Sequence, residues 1–172
     1  MQTDCIRKPL EFHPLGRRKI VARFDGGTIT SDAGGLLLRG VEKATGILRQ
    51  FARCFSDHRD AQSIEHTVEE LVAQRVYGLA LGYEDLNDHD TLRRDPLLAA
   101  LVGKLDPTGQ SRKKKSDLGK ALAGKSTLNR LELTKESALD STGKKDRYKK
   151  IGVIPSAVER LSVELFLQAH PV

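Results

Sequence analysis

The sequence predicts a mainly α-helical fold of the α+β class with a small N-terminal β-hairpin. The strongest observation is the helical repeat of apolar residues between Ile64 and Leu79. A second is the alternation of apolar and polar residues in "KIVARFDGGTIT", residues 19–30, about a turn at Asp25-Gly26-Gly27. A third is the Gly and Asp-Pro punctuation that bounds further helical segments.

A first helix is expected directly after the hairpin. Ser31 or Asp32 is its predicted N-cap, and Gly46 is its predicted end. Three of its residues form the predicted inward face: Leu37, Val41 and Ala44. A second helical piece, "ILRQFARCF", continues to Phe55.

The clearest helix of the chain follows, with Ser63 as its predicted cap. Glu65, Glu69 and Glu70 fall in its first turns, where the helix dipole favours negative charge, and Gly82 ends it. Its apolar residues recur at helical spacing: Ile64, Val68, Leu71, Val72, Val76 and Leu79.

The acidic stretch "LGYEDLNDHDTLRRDP", residues 81–96, admits two interpretations. One is capping of the next helix, because Asp95-Pro96 has the form of an N-cap followed by Pro at the first helical position. The other is a metal-dependent nuclease built on residues 84–90. Capping is favoured, since all these acids come from one loop, His89 has no HxxxH companion, and the spacing does not match a calcium loop.

Residues 104–125 combine Pro, Gly and Ser punctuation with the basic run Arg112-Lys113-Lys114-Lys115. They are predicted to form a basic, mobile linker. The run could be a solvated tether or a set of phosphate contacts, and the pattern does not separate the two.

After the linker, "GKSTLNRLELT" predicts a short helix capped by Ser126 or Thr127, with Leu128 and Leu131 inward. Asn129 and Arg130 then point outward, as base-contacting residues do on the recognition helix of a helix-turn-helix protein. Residues 141–150 are predicted to be basic and irregular. A last amphipathic helix has four predicted inward residues: Val158, Leu161, Leu165 and Phe166.

Composition narrows the function. Residues 101–150 hold fourteen Lys and Arg against six Asp and Glu, whereas residues 51–100 have a net charge of −5, which suggests a polyanionic partner for the basic part. Aromatic residues make up 5% and Trp is absent, which argues against binding by base stacking. The isolated Cys5 and Cys54 argue against a disulfide framework or zinc finger. Without a membrane-length apolar run or a signal-peptide core, the chain is interpreted as cytoplasmic.

Three long stretches carry a family resemblance: "FDGGTITSDAGGLLLRGVEKATGILRQFARCFSDHRD", "IEHTVEELVAQRVYGLALGYEDLNDHDTLRRDPLLAALVG" and "LAGKSTLNRLELT". Together they resemble the N-terminal region of bacterial insertion-sequence transposases of the DDE type, continuously from about Phe24 to Thr134 and more loosely over the final helix. The resemblance implies DNA strand transfer by an RNase H-like domain, in which two Asp and one Glu hold two divalent metals such as Mg²⁺.

No catalytic role is carried over to this chain. The first catalytic Asp of such proteins lies on an apolar strand after the helical region, at about the point where this chain ends. The acids of the helical region do not match the catalytic motif: Asp25, Asp32, Asp85, Asp88 and Asp90. The expectation is therefore a truncated transposase whose RNase H-like core is absent or incomplete, with no catalytic residue or metal site of its own.

The predicted organisation is a tail at 1–18, a hairpin and helical domain at 19–103, a basic linker at 104–125, and a segment at 126–172 leading toward a missing catalytic domain. Its expected partner is double-stranded DNA at the terminal repeats of the element, with self-association as a further expectation and neither a membrane nor a small-molecule substrate. The predicted DNA-binding residues are Arg112, Lys113, Lys114, Lys115, Lys125, Asn129 and Arg130, with Arg17, Arg18 and Lys19 as a secondary set. The alternatives are an inert gene remnant, a protein-interaction fragment and, least favoured, the nuclease of residues 84–90.

Overall fold

The computed structural model describes residues 8–26, 29–133 and 150–170. These residues form a mainly helical α+β fold, which confirms the predicted class. The strands are β1 (Leu10–Leu15), β2 (Arg18–Ala22), β3 (Phe55–Asp57) and β4 (Ile151–Val153). The α-helices are α1 (Gly35–Thr45), α2 (Ile47–Ala52), α3 (Val68–Ala80), α4 (His89–Leu92), α5 (Pro96–Val102), α6 (Lys125–Glu132) and α7 (Pro155–Ala169).

The hairpin is present, but it lies upstream of its predicted position. β1 and β2 pair antiparallel, with Phe12 opposite Ile20, and the chain turns at Gly16, whose φ is 58°. The predicted position of the hairpin at residues 19–30 was therefore wrong, and the predicted tail at 1–18 contains the first strand. Residues 27 and 28, which that prediction included, lie outside the described residues. The hairpin is held because Leu15 is buried and because Arg39 donates to the carbonyl oxygens of His13 and Pro14 at 2.6 and 3.0 Å.

Helix α1 buries a different face from the predicted one. Leu36 and Arg39 are buried, whereas Leu37 and Val41 are 68% and 53% exposed. The predicted caps also fail, because the helix starts after Gly34 and the Asp32 carboxylate instead accepts a 2.7 Å hydrogen bond from the Tyr83 hydroxyl. Gly46 ends α1 in the left-handed conformation, as predicted.

Helix α3 runs through the centre of the fold and contributes to two core clusters. Ala73 and Tyr77 pack with α1 and α5, where Leu98 is fully buried, and Leu71 and Val72 pack with α6 and β4. The helix begins at a capping box instead of at Ser63. The Thr67 hydroxyl accepts from the Glu70 N–H at 3.2 Å, and the Glu70 carboxylate accepts from the Thr67 N–H at 3.0 Å.

The segment predicted as a mobile linker packs against the helices. Ala121, Leu122 and Ala123 are only 3%, 0% and 1% exposed. The buried Gln74 amide pairs with both backbone groups of Ala123, at 2.8 Å to the carbonyl oxygen and 3.0 Å from the N–H. The linker prediction failed because these apolar residues are too few to form a periodic pattern, although their burial fixes the end of the loop.

The C-terminal part adds two elements to this core. β3 and β4 form a second antiparallel sheet, with Ser56 opposite Gly152, and neither strand was predicted. In α7 Leu161 is buried as predicted, but Phe166 is 60% exposed and does not face inward. Residues 141–149 of the predicted basic, irregular stretch lie outside the described residues.

Candidate nucleic-acid interface

Three acids of the stretch at residues 81–96 are engaged in capping or ion pairing: Asp85, Asp90 and Asp95. The Asn87 N–H donates to Asp85 at 2.8 Å, and the Leu97 N–H donates to Asp95 at 2.7 Å, which caps α5 as predicted. Arg75 holds the start of the stretch by donating to the carbonyl oxygens of Tyr83 and Glu84 at 3.0 and 2.7 Å. These contacts support the capping interpretation over the nuclease.

His89 belongs to the core of the protein. Its ring is fully buried, its Nδ1 lies 3.1 Å from Gln74 Nε2, and burial lowers its pKa. The ring packs so closely on Gly78 that a Cβ there would meet it at 2.9 Å. Across residues 8–26, 29–133 and 150–170, no three Asp, Glu, His or Cys side chains converge to hold a metal ion. The described residues therefore do not form the divalent-metal site that the transposase resemblance implies.

Arg112 has a structural role that the sequence did not predict. Its guanidinium donates to Glu65 at 2.9 Å and to the ring Nε2 of His66 at 2.8 Å. Because arginine is always a donor, Nε2 of His66 is the acceptor and the neutral ring carries its proton on Nδ1. Burial, together with the nearby charges of Lys104, Arg112, Arg93 and Arg59, lowers the pKa of His66 to about 3. Arg112 thus anchors its loop to the segment before α3.

The three lysines that follow Arg112 are exposed. Lys113, Lys114 and Lys115 lie between the Arg112 anchor and a second anchor at Asp117. Asp117 accepts from Arg93 at 3.4 Å and lies 3.6 Å from the Lys120 ammonium. Between two fixed points, the lysines project from an ordered loop instead of a free tether.

The loop before these lysines is closed on itself. The Ser111 N–H and hydroxyl both donate to Asp106, at 2.6 and 2.7 Å, and these bonds lower the pKa of Asp106 to about 2. Farther along, the N–H of Gly119 donates to the carbonyl oxygen of Gly109 at 3.0 Å. The two ends of segment 109–119 are therefore bonded to each other.

Helix α6 follows the loop and is fixed on one flank by its neighbours. Lys125 donates to Asn87 at 2.9 Å and lies 3.5 Å from Asp90, and Arg75 pairs with Glu132. Leu128 and Leu131 are buried as predicted, and the predicted outward pair, Asn129 and Arg130, is exposed.

The context of α6 differs from that of a helix-turn-helix protein. Its N-cap is Gly124 and not Ser126 or Thr127. A helix-turn-helix motif joins its two helices by a turn of about 3–4 residues, whereas residues 103–124 separate α5 from α6. Helix α6 therefore exposes Asn129 and Arg130 without being part of a helix-turn-helix motif.

The secondary basic set lies at the turn of the N-terminal hairpin. Arg17 is in the hairpin turn, Arg18 and Lys19 follow on β2, and all three are exposed. At the turn, a Cβ on Gly16 would lie 3.3 Å from a methyl carbon of Leu105. Leu105 also lines a surface cavity together with Arg112 and Lys113. The fold thus places the hairpin turn against Leu105, in the segment that leads to the lysine loop.

Two basic residues outside the predicted set share a second cavity with α6. Arg59 and Lys150 line a cavity of about 350 Å³ together with Thr127 and Arg130 of α6. Sequence reasoning missed them because they are far apart along the chain and neither belongs to a recognisable motif.

With this geometry in place, comparison with known proteins identifies the class. The chain belongs to the transposase DDE domain group 1 family, whose family model matches residues 12–170. This match confirms the predicted DDE-type transposase resemblance. No curated protein and no solved structure gives a significant match. In the described part of the chain, no helix is long and apolar enough to cross a membrane.

Proposed function

We propose that this chain acts in DNA transposition as the part of an insertion-sequence transposase that binds the ends of its element. In this proposal its acids position helices and basic side chains and do not cleave DNA. Support comes from the contacts of Asp85, Asp90 and Asp95, which are all used within the fold. Cytoplasmic location, with association with the nucleoid when DNA is bound, is part of the same proposal.

The observation that carries the proposal is the anchored presentation of Lys113, Lys114 and Lys115. A free tether would lose conformational entropy on binding, and a loop that is already ordered loses less. The anchor at Arg112 uses that side chain inside the protein, so its predicted DNA contact is replaced by a positioning role. Phosphate contacts are then proposed for the three lysines, for Lys125 and for the hairpin set Arg17, Arg18 and Lys19.

A base contact is proposed for Asn129, whereas Arg130, the other predicted reader, lines a cavity with Arg59 and Lys150 and is proposed to contact the DNA backbone. Asn129 and Arg130 are both exposed on α6, whose inner side is fixed by two buried leucines and whose flank is tied down by ion pairs. Asn is suited to bidentate hydrogen bonds with the edge of adenine.

The test is a salt titration of duplex binding by fluorescence anisotropy. Replacing Lys113, Lys114 and Lys115 together by Gln should weaken binding to all duplexes alike. It should also reduce the slope of log K against log salt by about 2–3, because each lost phosphate contact removes about 0.9.

A matched control removes the same charge elsewhere. Lys43, Arg49 and Arg53 are exposed around α1 and α2, and their triple Gln variant has the same net charge as the lysine-loop variant. The control should keep the wild-type slope. Equal slopes for both triple variants would show that the lysine loop makes no particular contact with DNA.

A second proposed function, self-association, is favoured by the outer side of α7. Val163, Phe166 and Leu167 lie at helical spacing there and are all more than half exposed. We expect light scattering to give the mass of a dimer for the wild type and of a monomer for Phe166→Ser. A monomeric wild type at concentrations well above those of the binding assay would contradict this function.

A further inference from the structure

We propose that the cavity between α6, β4 and the turn before α3 holds one backbone phosphate of bound nucleic acid. This inference rests on the proposed DNA binding and specifies one of its contacts. Seven residues line the cavity: Arg59, Asp60, Ser63, Thr127, Arg130, Lys150 and Ile151. Its volume is about 350 Å³.

The charge of the cavity favours an anion. Three cations, Arg59, Arg130 and Lys150, reach it from three separate parts of the fold. The one carboxylate in the lining, Asp60, accepts from the Gln62 N–H at 3.1 Å and from the Ser63 hydroxyl at 3.0 Å. With this one carboxylate set against three cations, the lining has a net charge of +2.

Arg59 is held in place before any ligand binds. Its Nε and Nη2 donate to the two oxygens of Asp57 at 2.8 and 2.7 Å, which fixes the plane of the guanidinium. Nη1 takes no part in this pair, so its two N–H groups remain for another acceptor. A guanidinium held by one carboxylate is well suited to donate to phosphate oxygens from its other side.

Helix α6 contributes two residues to the lining of the cavity. Thr127 and Arg130 are one turn apart, so they share the flank that faces the cavity. Thr127 adds a hydroxyl donor in the first turn of the helix, where the helix dipole also favours negative charge.

The lining selects phosphate over a base or another apolar group. Of its seven residues only Ile151 is apolar, so a nucleobase would find no aromatic surface to stack on. A tetrahedral oxyanion with several acceptors matches the three cations and the Thr127 hydroxyl, because the Ser63 hydroxyl already donates to Asp60. Because Asn129 is exposed on the same helix, a phosphate in the cavity would fix the register of α6 on a duplex.

The first experiment compares Lys150→Gln with Lys150→Arg in the anisotropy titration. Lys150→Gln should weaken duplex binding three- to tenfold and lower the salt slope by about 0.9, the value for one phosphate. Lys150→Arg keeps the charge and should retain most of the affinity. Lys43→Gln, which removes one exposed lysine elsewhere, should change neither quantity, and circular dichroism checks that each variant is folded.

The second experiment places a single uncharged methylphosphonate at successive positions of the bound duplex. The wild type should lose affinity at one linkage in particular, and Lys150→Gln should be insensitive to the substitution at that linkage. Equal sensitivity of both proteins at every linkage would overturn the inference.

Failure of the cavity and failure of the proposed function give different results. In one outcome, the wild type binds duplex and the lysine-loop variant has a reduced salt slope, but Lys150→Gln and Thr127→Val bind like the wild type. That outcome would show that the cavity holds no phosphate, and the proposed DNA binding would stand. If the wild type binds no duplex, both proposals fall. Calorimetric binding of inorganic phosphate that depends on Lys150, without an effect of Lys150→Gln on duplex binding, would identify a small-anion site and overturn the nucleic-acid assignment.

Discussion

His66 should make the stability of this protein fall as the pH drops below about 6.5. The ring is 6% exposed, accepts a hydrogen bond from Arg112, and has its pKa lowered from 6.5 to about 3. Between pH 6.5 and about pH 3 the His66 ring is protonated in the unfolded chain but stays neutral in the folded protein. The contribution of His66 is therefore complete above pH 6.5 and is lost progressively toward pH 3.

The expected size follows from linkage. Each pH unit well below 6.5 costs about 1.4 kcal/mol, so lowering the pH from 7.5 to 5 should remove about 2 kcal/mol of unfolding free energy through His66 alone. Burial also lowers the pKa of His89, which therefore acts in the same direction. A comparison of variants is needed to separate the two histidines.

The assay is urea unfolding followed by circular dichroism between pH 7.5 and 5. His66→Gln keeps an acceptor for Arg112 but cannot take up a proton in this range, so it should lose about 2 kcal/mol less than the wild type. His13→Gln, at an exposed position of the hairpin, should keep the pH slope of the wild type. Equal pH slopes for wild type and His66→Gln would refute the assignment of a neutral, buried acceptor at this position.

Two further predictions test local geometry by paired substitutions. Thr67→Ala removes the capping box of α3 and should cost about 1 kcal/mol in urea unfolding, whereas Ser63→Ala, outside that helix, should cost less than about 0.5 kcal/mol; equal losses would contradict the helix start. Gly109→Ala should lower the melting temperature more than Gly119→Ala. Both have positive φ, which costs about 1–2 kcal/mol, but only a Cβ at Gly109 would meet a backbone nitrogen at 2.6 Å, and the reverse order would contradict this close contact.

Elements with purely local signals were predictable from the sequence. The apolar repeat of α3 placed that helix within a turn of its observed start, and Asp95-Pro96 marked the start of α5 because cap and proline act on adjacent backbone groups. Gly46 ended α1 for the same reason, since its left-handed conformation is a local preference. The inward placement of Leu128 and Leu131 on α6 also followed from spacing alone.

Features that depend on distant partners were missed. β3 and β4 are three residues each and pair across almost a hundred positions of sequence. Each strand is too short to show an alternation of apolar and polar residues. Helix α1 turns a buried arginine inward because the hairpin offers two carbonyl oxygens to Arg39, which apolar periodicity does not reveal.

The candidate site shows the same division between local and long-range effects. The lysine run was visible in the sequence, but its anchoring depends on Glu65 and His66, more than forty positions away. Charge identified the segment, and only the long-range contact of Arg112 distinguishes a presented loop from a tether.

The hydrogen bond between Gly109 and Gly119 closes the base of the loop that carries Lys113, Lys114 and Lys115. The fold around this base does not depend on which residues occupy the lysine positions. Insertions or substitutions at Lys113, Lys114 and Lys115 would change the number of cations. They would not move the Gly109–Gly119 hydrogen bond or the buried Ala121–Ala123 segment that follows it. In the proposed function, the number of phosphate contacts with DNA would therefore change at these lysines while the helical scaffold stays the same.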